Sequence, residues 1–419
     1  MAGFREAAMR GQPSDGGLYF PERIPRLSEE FLTNFRGWPK EKIAFEVIRP
    51  YVGGAIRDGE LFNICKETID FDFPLVRVAD RIFSLELFHG PTLAFKDVGA
   101  RFMSWCLRHF SLERSEKTLV IVATSGDTGG AVAAGFHGVE GIEVVILYPK
   151  GKVSRVQELQ LTTLGGNVTA LEVDGVFDDC QAMAKRVLAD EDIARRVFVT
   201  SANSINIARW LPQQFYYFFA LTQWAGDAPV FSVPSGNFGN ICAGLMAHAS
   251  GMPAEHFIAA CNANAVVPQF MRTGEYAPRK AVATLSNAMD VGDPSNFVRV
   301  LEIFNNEFPR LKETLSAASV SDEETAATMK QVYVRSGYVL DPHGAVGYKA
   351  LNDYLAGHPG LVGIFLETAH PVKFDSVEEI LGTFGDVPEA VRELEGKEKV
   401  STEVPADYEA VKEIILSKV

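Results

Sequence analysis

The chain has 419 residues, 47% hydrophobic and 22% charged, which is the balance of a folded globular protein and excludes disorder and fibre. Its 40 Lys and Arg against 54 Asp and Glu give a formal charge of −14, which argues against nucleic acid or an anionic membrane as the main partner. An anionic ligand would have to be met locally, by backbone N–H groups or a placed cation.

The N-terminal stretch MAGFREAAMRGQPSDGG has no apolar core and reads as neither a secretory signal nor a lipidation motif. In LFHGPTLAFKDVGARFMSWCL, Lys96 follows an apolar approach and stands where a helix is expected to begin, with Phe102, Met103 and Cys106 on its inner face. Desolvation and the positive end of a helix both disfavour an ammonium, so the neutral, nucleophilic amine that a Schiff-base lysine needs becomes accessible. The plain alternative is a solvated surface lysine.

Val- and Ile-rich runs then alternate with segments of helical period, the pattern of a mostly parallel sheet covered by helices. Strands are expected at 118–124, 143–149 and 167–173, and helices at 131–138, 152–165 and 177–192. A helix over 209–224 leads to a strand at 229–234, a loop at 235–240 and a helix at 241–249. Residues 228–254 are uncharged and long enough to span a bilayer, but Pro234, Asn237, Asn240 and His248 mark a buried α/β segment instead. The last stretch, PADYEAVKEIILSKV, predicts an Asp407-capped surface helix. The five cysteines are scattered and form no C-x-x-C pair, so neither a disulfide framework nor a zinc site is indicated, and a reducing cytoplasm is expected.

Three segments suit anions. TSGDTGG joins a strand to a helix, and Gly126, Gly129 and Gly130 permit positive φ, so N–H groups and the helix dipole converge there. PSGNFGN repeats the arrangement with Gly236 and Gly239. SANSINIAR adds Asn203, Ser204 and Asn206 with Arg209 as the cation, a mix suited to a phosphate. Each loop alone could be an ordinary βα turn. There is no G-x-x-x-x-G-K-[ST], no G-x-G-x-x-G, no G-x-S-x-G and no H-E-x-x-H, which disfavours nucleotide, serine-hydrolase and metal chemistry. His89, His343 and His370 each adjoin Gly or Pro and read as turn residues.

Together PSDGGLYFPE, LFHGPTLAFKD, TSGDTG, ILYPKGKVS, TLGGNV, SANSINIAR, PSGNFGN, TLSNAMDVGDPSN, DPHGAVG and ETAHPVKF resemble, in order and over about 13–374, the threonine synthases. These are pyridoxal-phosphate enzymes of fold type II in the tryptophan synthase β-like superfamily. The resemblance implies that Lys96 forms the Schiff base with pyridoxal 5'-phosphate, and that Gly236, Asn237, Phe238, Gly239 and Asn240 hold the cofactor phosphate. It implies that the Thr368 hydroxyl meets the pyridine nitrogen, that Ser125 and Thr128 receive the substrate carboxylate, and that Asn203, Ser204 and Arg209 take the substrate phosphate. Asp127 stands where many relatives carry a cofactor-contacting Asn, so it must be protonated, reoriented or otherwise engaged. Gly344 stands where the family pattern has Thr, and His343 is left without a role.

The implied fold is two α/β lobes with mostly parallel sheets: an N-terminal segment over 1–85 packing on the large lobe, a smaller mobile lobe over 98–202, and a large cofactor-binding lobe over 86–97 and 203–419. The implied activity is that of a carbon–oxygen lyase acting on a phosphate ester, converting O-phospho-L-homoserine and water to L-threonine and phosphate. A phospho-lyase or dehydratase releasing 2-oxobutyrate, or a non-catalytic protein binding phosphorylated metabolites, remains the alternative.

Overall fold

The computed structural model describes residues 1–112, 114 and 116–418. Glu113 and Ser115, inside the expected small lobe, and Val419, at the end of the C-terminal segment, lie outside the described residues. In chain order the strands are β1 (Leu75–Ala79), β2 (Ile82–Glu86), β3 (Thr118–Ala123), β4 (Ile142–Pro149), β5 (Val168–Asp174), β6 (Phe198–Ser201), β7 (Val230–Pro234), β8 (His256–Cys261), β9 (Leu315–Ser319), β10 (Gly363–Glu367) and β11 (Thr402–Pro405). They form one sheet in the order β1-β2-β10-β7-β8-β9 and a second in the order β11-β5-β4-β3-β6. Among these strands, β1 and β2 pair antiparallel and all the other pairings are parallel. Strands β3, β7, β8 and β10 are buried along their whole length, as a parallel sheet with both faces covered requires, which is why their sequences read as continuous apolar runs.

The expected helices form with altered ends, each for a local reason. The helix expected over 152–165 runs only over Arg155–Thr162, because Ser154 and Gln157 close a capping box that fixes its start. The run at 209–224 breaks into Ile207–Trp210, a 3-10 turn at Leu211–Gln213 and Gln214–Thr222, where Pro212 cannot donate into a continuous helix. The helix expected at 177–192 ends at Ala189, and the Asp190 carboxylate caps the next turn by accepting from the N–H groups of Asp192 and Ile193.

Two segments depart from the expected lobe limits. Within 1–85, β1 and most of β2 are themselves members of the first sheet. Within 203–419, β11 pairs with β5 of the second sheet, Thr402 opposite Leu171. The following helix Tyr408–Leu416 buries Tyr408, Val411 and Ile415 against that sheet while Asp407 caps it. A free β5 edge would expose a row of unpaired backbone groups, and the C-terminal strand covers it. Among the described residues no helix is long and apolar enough to cross a membrane.

Parallel strands bring their following loops to one end of a sheet. SGDTG thus follows β3, SGNFGN follows β7, and Thr368 follows β10.

Candidate active site

Lys96 is the first residue of the helix Lys96–Ser111, whose inner face buries Phe102, Met103 and Cys106. The segment before it is held against the chain that leaves β10. Phe95 N–H donates to Thr368 O at 2.8 Å, His370 N–H donates to Leu93 O at 3.0 Å, and Ala94 and Ala369 form a bridge between them. Lys96 and Thr368 are neighbours for that reason.

The Lys96 side chain is 17% exposed, and its Nζ lies 3.5 Å from Asp127 Oδ2. Burial lowers the pKa of this amine; the Asp127 carboxylate opposes the shift, while Lys373 and Arg209 reinforce it. The desolvated amine argued from the sequence is present.

Of the three states open to Asp127, the structure selects engagement. Burial alone would raise its pKa, but Lys373, Lys96 and Gln157 together hold it well below the usual carboxylate range. Oδ1 accepts from Lys373 Nζ at 2.8 Å and from Gln157 Nε2 at 2.9 Å. The sequence offered one signal for Lys373, a lysine inside the otherwise apolar PVKF.

The β3 loop places Ser125 and Thr128 half-buried and the rest of TSGDTGG buried. Thr124 Oγ1 accepts from Gly126 and Gly129 N–H, and Gly130 N–H donates to Gly126 O. Of the three glycines only Gly126 has positive φ, at 139°. Among the described residues, the hydroxyls of Ser125 and Thr128 and the N–H groups of Ser125, Asp127 and Thr128 have no hydrogen-bond partner.

In the β7 loop Phe238 adopts the left-handed conformation, φ 62° and ψ 11°, which turns successive N–H groups toward one point. No acceptor for the N–H groups of Gly236, Asn237, Phe238, Gly239 or Asn240 exists among the described residues. The side chains of this loop are otherwise occupied. Asn237 Nδ2 donates to Ser204 Oγ at 2.8 Å, its Oδ1 accepts from Ser295 N–H at 2.7 Å, and Asn240 Nδ2 donates to Pro234 O at 2.7 Å.

The SANSINIAR residues do not form one separate cluster. Ser204 joins the β7 loop through Asn237, whereas Asn203 ties β6 to β3, its Nδ2 donating to Ala123 O at 3.1 Å and its Oδ1 accepting from Ser201 Oγ. Arg209 is 3% exposed and donates through Nη1 to Ala202 O, and its Nε has no partner among the described residues. Burial lowers the guanidinium pKa to about 10. Two residues unmarked in the sequence brace the β7 loop: Asn296 Nδ2 donates to Asn237 O at 3.0 Å, and buried Arg299 donates to Asn296 and to the carbonyls of Tyr19 and Ile205.

His343 is not a simple turn residue. Its Nδ1–H donates to Asp341 Oδ1 at 2.6 Å, and its Nε2 accepts from Ala288 N–H at 3.2 Å.

Comparison with known proteins matches residues 75–361 to a family described as pyridoxal-phosphate dependent enzymes, 1–69 to the threonine synthase N terminus and 344–415 to the threonine synthase C-terminal region. The chain is 42% identical to threonine synthase of Escherichia coli, covering 99% of this chain and 96% of the relative. It is 36% identical to the Saccharomyces cerevisiae enzyme, over 98% and 94% of the two chains. The E. coli threonine synthase structure superposes with a TM-score of 0.92 at 41% identity, covering 100% of this chain and 97% of that one. A threonine synthase from Brucella melitensis with pyridoxal phosphate bound gives 0.92 at 34% identity, over 99% and 96%. The chain belongs to the threonine synthase family of pyridoxal-phosphate-dependent, fold type II enzymes.

Proposed function

We propose that the chain converts O-phospho-L-homoserine and water to L-threonine and inorganic phosphate, by eliminating the phosphate from Cγ and adding water at Cβ. The observation that carries this reading is a desolvated Lys96 amine beside Asp127, with unused N–H groups at the ends of β3 and β7.

The residues present fit pyridoxal phosphate. The free N–H groups of Gly236, Asn237, Phe238, Gly239 and Asn240 suit its phosphate, Lys96 its aldehyde carbon, Thr368 its ring nitrogen and Asp127 its polar ring edge. When bound, the cofactor supplies an electron sink that acidifies the hydrogens next to the amino group of an amino acid. The chain's own groups do the rest. The Lys96 amine takes the proton from the substrate Cα; loss of a Cβ proton expels the phosphate from Cγ, Cγ takes up a proton, water adds its hydroxyl to Cβ, and Lys96 returns a proton to Cα. The hydroxyls and N–H groups of Ser125 and Thr128 bind the substrate carboxylate. Arg209, with Asn203 at the end of β6, receives the departing phosphate, while Ser204 braces the β7 loop through Asn237.

The moving units proposed are the segment 98–202, extended by β11 and the C-terminal helix, and the segment 86–97 with the first sheet. Their closure would keep water out until Cβ is ready for it. The five free, buried cysteines suit a reducing cytoplasm. Incubating the purified protein with pyridoxal phosphate and O-phospho-L-homoserine tests the reading. Equimolar threonine and phosphate are expected; 2-oxobutyrate with phosphate would make it a phospho-lyase, and no turnover would make it a binding protein.

A further inference from the structure

Two lysines share one buried carboxylate. Asp127 Oδ1 accepts from Lys373 Nζ at 2.8 Å, and Asp127 Oδ2 lies 3.5 Å from Lys96 Nζ. Asp127 comes from the loop after β3, in the second sheet, and Lys373 from the turn after β10, in the first. Their pair ties the loops of the two sheets together at the reactive amine.

Lys373 is held from behind as well. Its Nζ donates to Thr92 O at 2.7 Å, Gln160 Nε2 donates to the same carbonyl at 3.0 Å, and Thr92 gives its N–H and hydroxyl to the buried Asp97 carboxylate. The Lys373 side chain is fully buried, so its ammonium does not reach solvent. A buried ion costs several kcal/mol unless paired and hydrogen-bonded, and both conditions are met here. A carboxylate paired with Lys96 alone in such surroundings would lock that amine as an ammonium.

We propose that Lys373 is a positioning residue for Lys96: its ammonium fixes the Asp127 carboxylate and shares its charge, so that Asp127 orients the Lys96 amine without retaining its proton. This rests on Lys96 being the reactive lysine. The charged groups acting on Lys96 are Asp127, Lys373 and Arg209, and Asp97, joined to Lys373 through Thr92, interacts with the Lys373 charge.

The test uses the full-length, cofactor-free protein. The rate at which cyanate carbamylates Lys96, read by peptide mass spectrometry over a pH series, has a midpoint at the amine pKa. Lys373→Met is expected to move that midpoint up by about one pH unit. Lys373→Gln, which keeps a donor for the Thr92 carbonyl, takes its place where melting shows the Met variant unfolded. In an Asp127→Asn background the shift caused by losing Lys373 should shrink by at least about half, because the two residues act as a unit. An unmoved midpoint in a folded variant overturns the proposal. Equal shifts with and without Asp127 also overturn it, since Lys373 would then act as a distant charge. Failure of borohydride to fix pyridoxal phosphate on Lys96 of the unaltered protein would instead overturn the reading of Lys96 itself.

Discussion

Glu367 occupies the space that a side chain at position 344 would need: a Cβ on Gly344 would overlap Glu367 Oε2 and stand 2.7 Å from its Oε1. Glu367 is fully buried, and Oε1 accepts from Asp341 N–H at 2.7 Å. Asp341 in turn caps the helix Pro342–Ala356 and pairs with His343. Threonine at 344 and glutamate at 367 therefore exclude each other in this packing. Gly344→Thr is expected to destabilise the protein by about 2 kcal/mol or more, as overpacking does. The cost should fall when Glu367→Ala vacates the site. Denaturant unfolding of the two single variants and the double would read the coupling; simple additivity would refute the steric account.

The same glutamate makes stability depend on pH. Burial first, and then the charge of Asp341, raise its pKa well above the ordinary carboxylate range. The folded state thus keeps a proton that the unfolded chain releases. Its stabilising contribution is full below the unfolded pKa of about 4.3 and is lost as pH rises toward the folded value, by up to about 1.4 kcal/mol per unit. Glu367→Gln keeps the shape and has no proton to lose. Relative to the parent, this variant should gain stability between about pH 5 and pH 8, measured by urea unfolding at both. A constant difference across that range would mean that Glu367 is ionised in the folded protein.

What the sequence makes legible follows from how local each cause is. Strands β3 and β7 read as apolar runs because both faces of each sheet are covered, and the loops after them carry their own glycines and unpartnered N–H groups, the features that suit an anion. Lys96 is legible because its apolar approach precedes it directly. Lys373 acts on Asp127, and beyond their near neighbours Asn296 and Asp341, Arg299 and His343 reach Ile205 and Ala288, so nothing beside them announces these remote partners. Strand β11, with the sequence TEVP, is too short and polar to signal itself, and forms where the β5 edge receives it. The shared role of Ser204 in the β7 loop is hidden for the same reason, since Asn237 is remote in sequence.

Gly236 has no room for a side chain, because a Cβ there would lie 2.6 Å from Met289 Cα and 3.0 Å from Ala288 O. Both obstacles are backbone, and the bond from Ala288 N–H to His343 Nε2 keeps them in place. Gly236→Ala must therefore move the β7 loop itself. Affinity for pyridoxal phosphate should fall at least about tenfold, or about 1.4 kcal/mol, in a fluorescence titration. His343→Ala frees Ala288, so part of the loss should return in the double variant. An unchanged dissociation constant for Gly236→Ala would remove this loop from the cofactor site.

Ser204 and Arg209 lie in one sequence motif, yet their surroundings predict different defects. Ser204 Oγ accepts from Asn237 Nδ2 at 2.8 Å, so Ser204→Ala leaves a loop amide short of a partner. Losing such a bond costs about 1 kcal/mol, and the dissociation constant for pyridoxal phosphate should rise about fivefold. Among the described residues Arg209 makes no hydrogen bond to the β7 loop; it donates to Ala202 O, its Nε has no partner, and its charge acts on Lys96. Arg209→Met should leave cofactor affinity within about twofold and raise the KM for O-phospho-L-homoserine about ten- to a hundredfold, the loss of a charged hydrogen bond to phosphate. Paired cofactor titrations and steady-state kinetics separate the two effects. A Ser204→Ala variant altered only in KM, or an Arg209→Met variant altered only in cofactor affinity, would reverse the assignment, because each side chain would then serve the other phosphate.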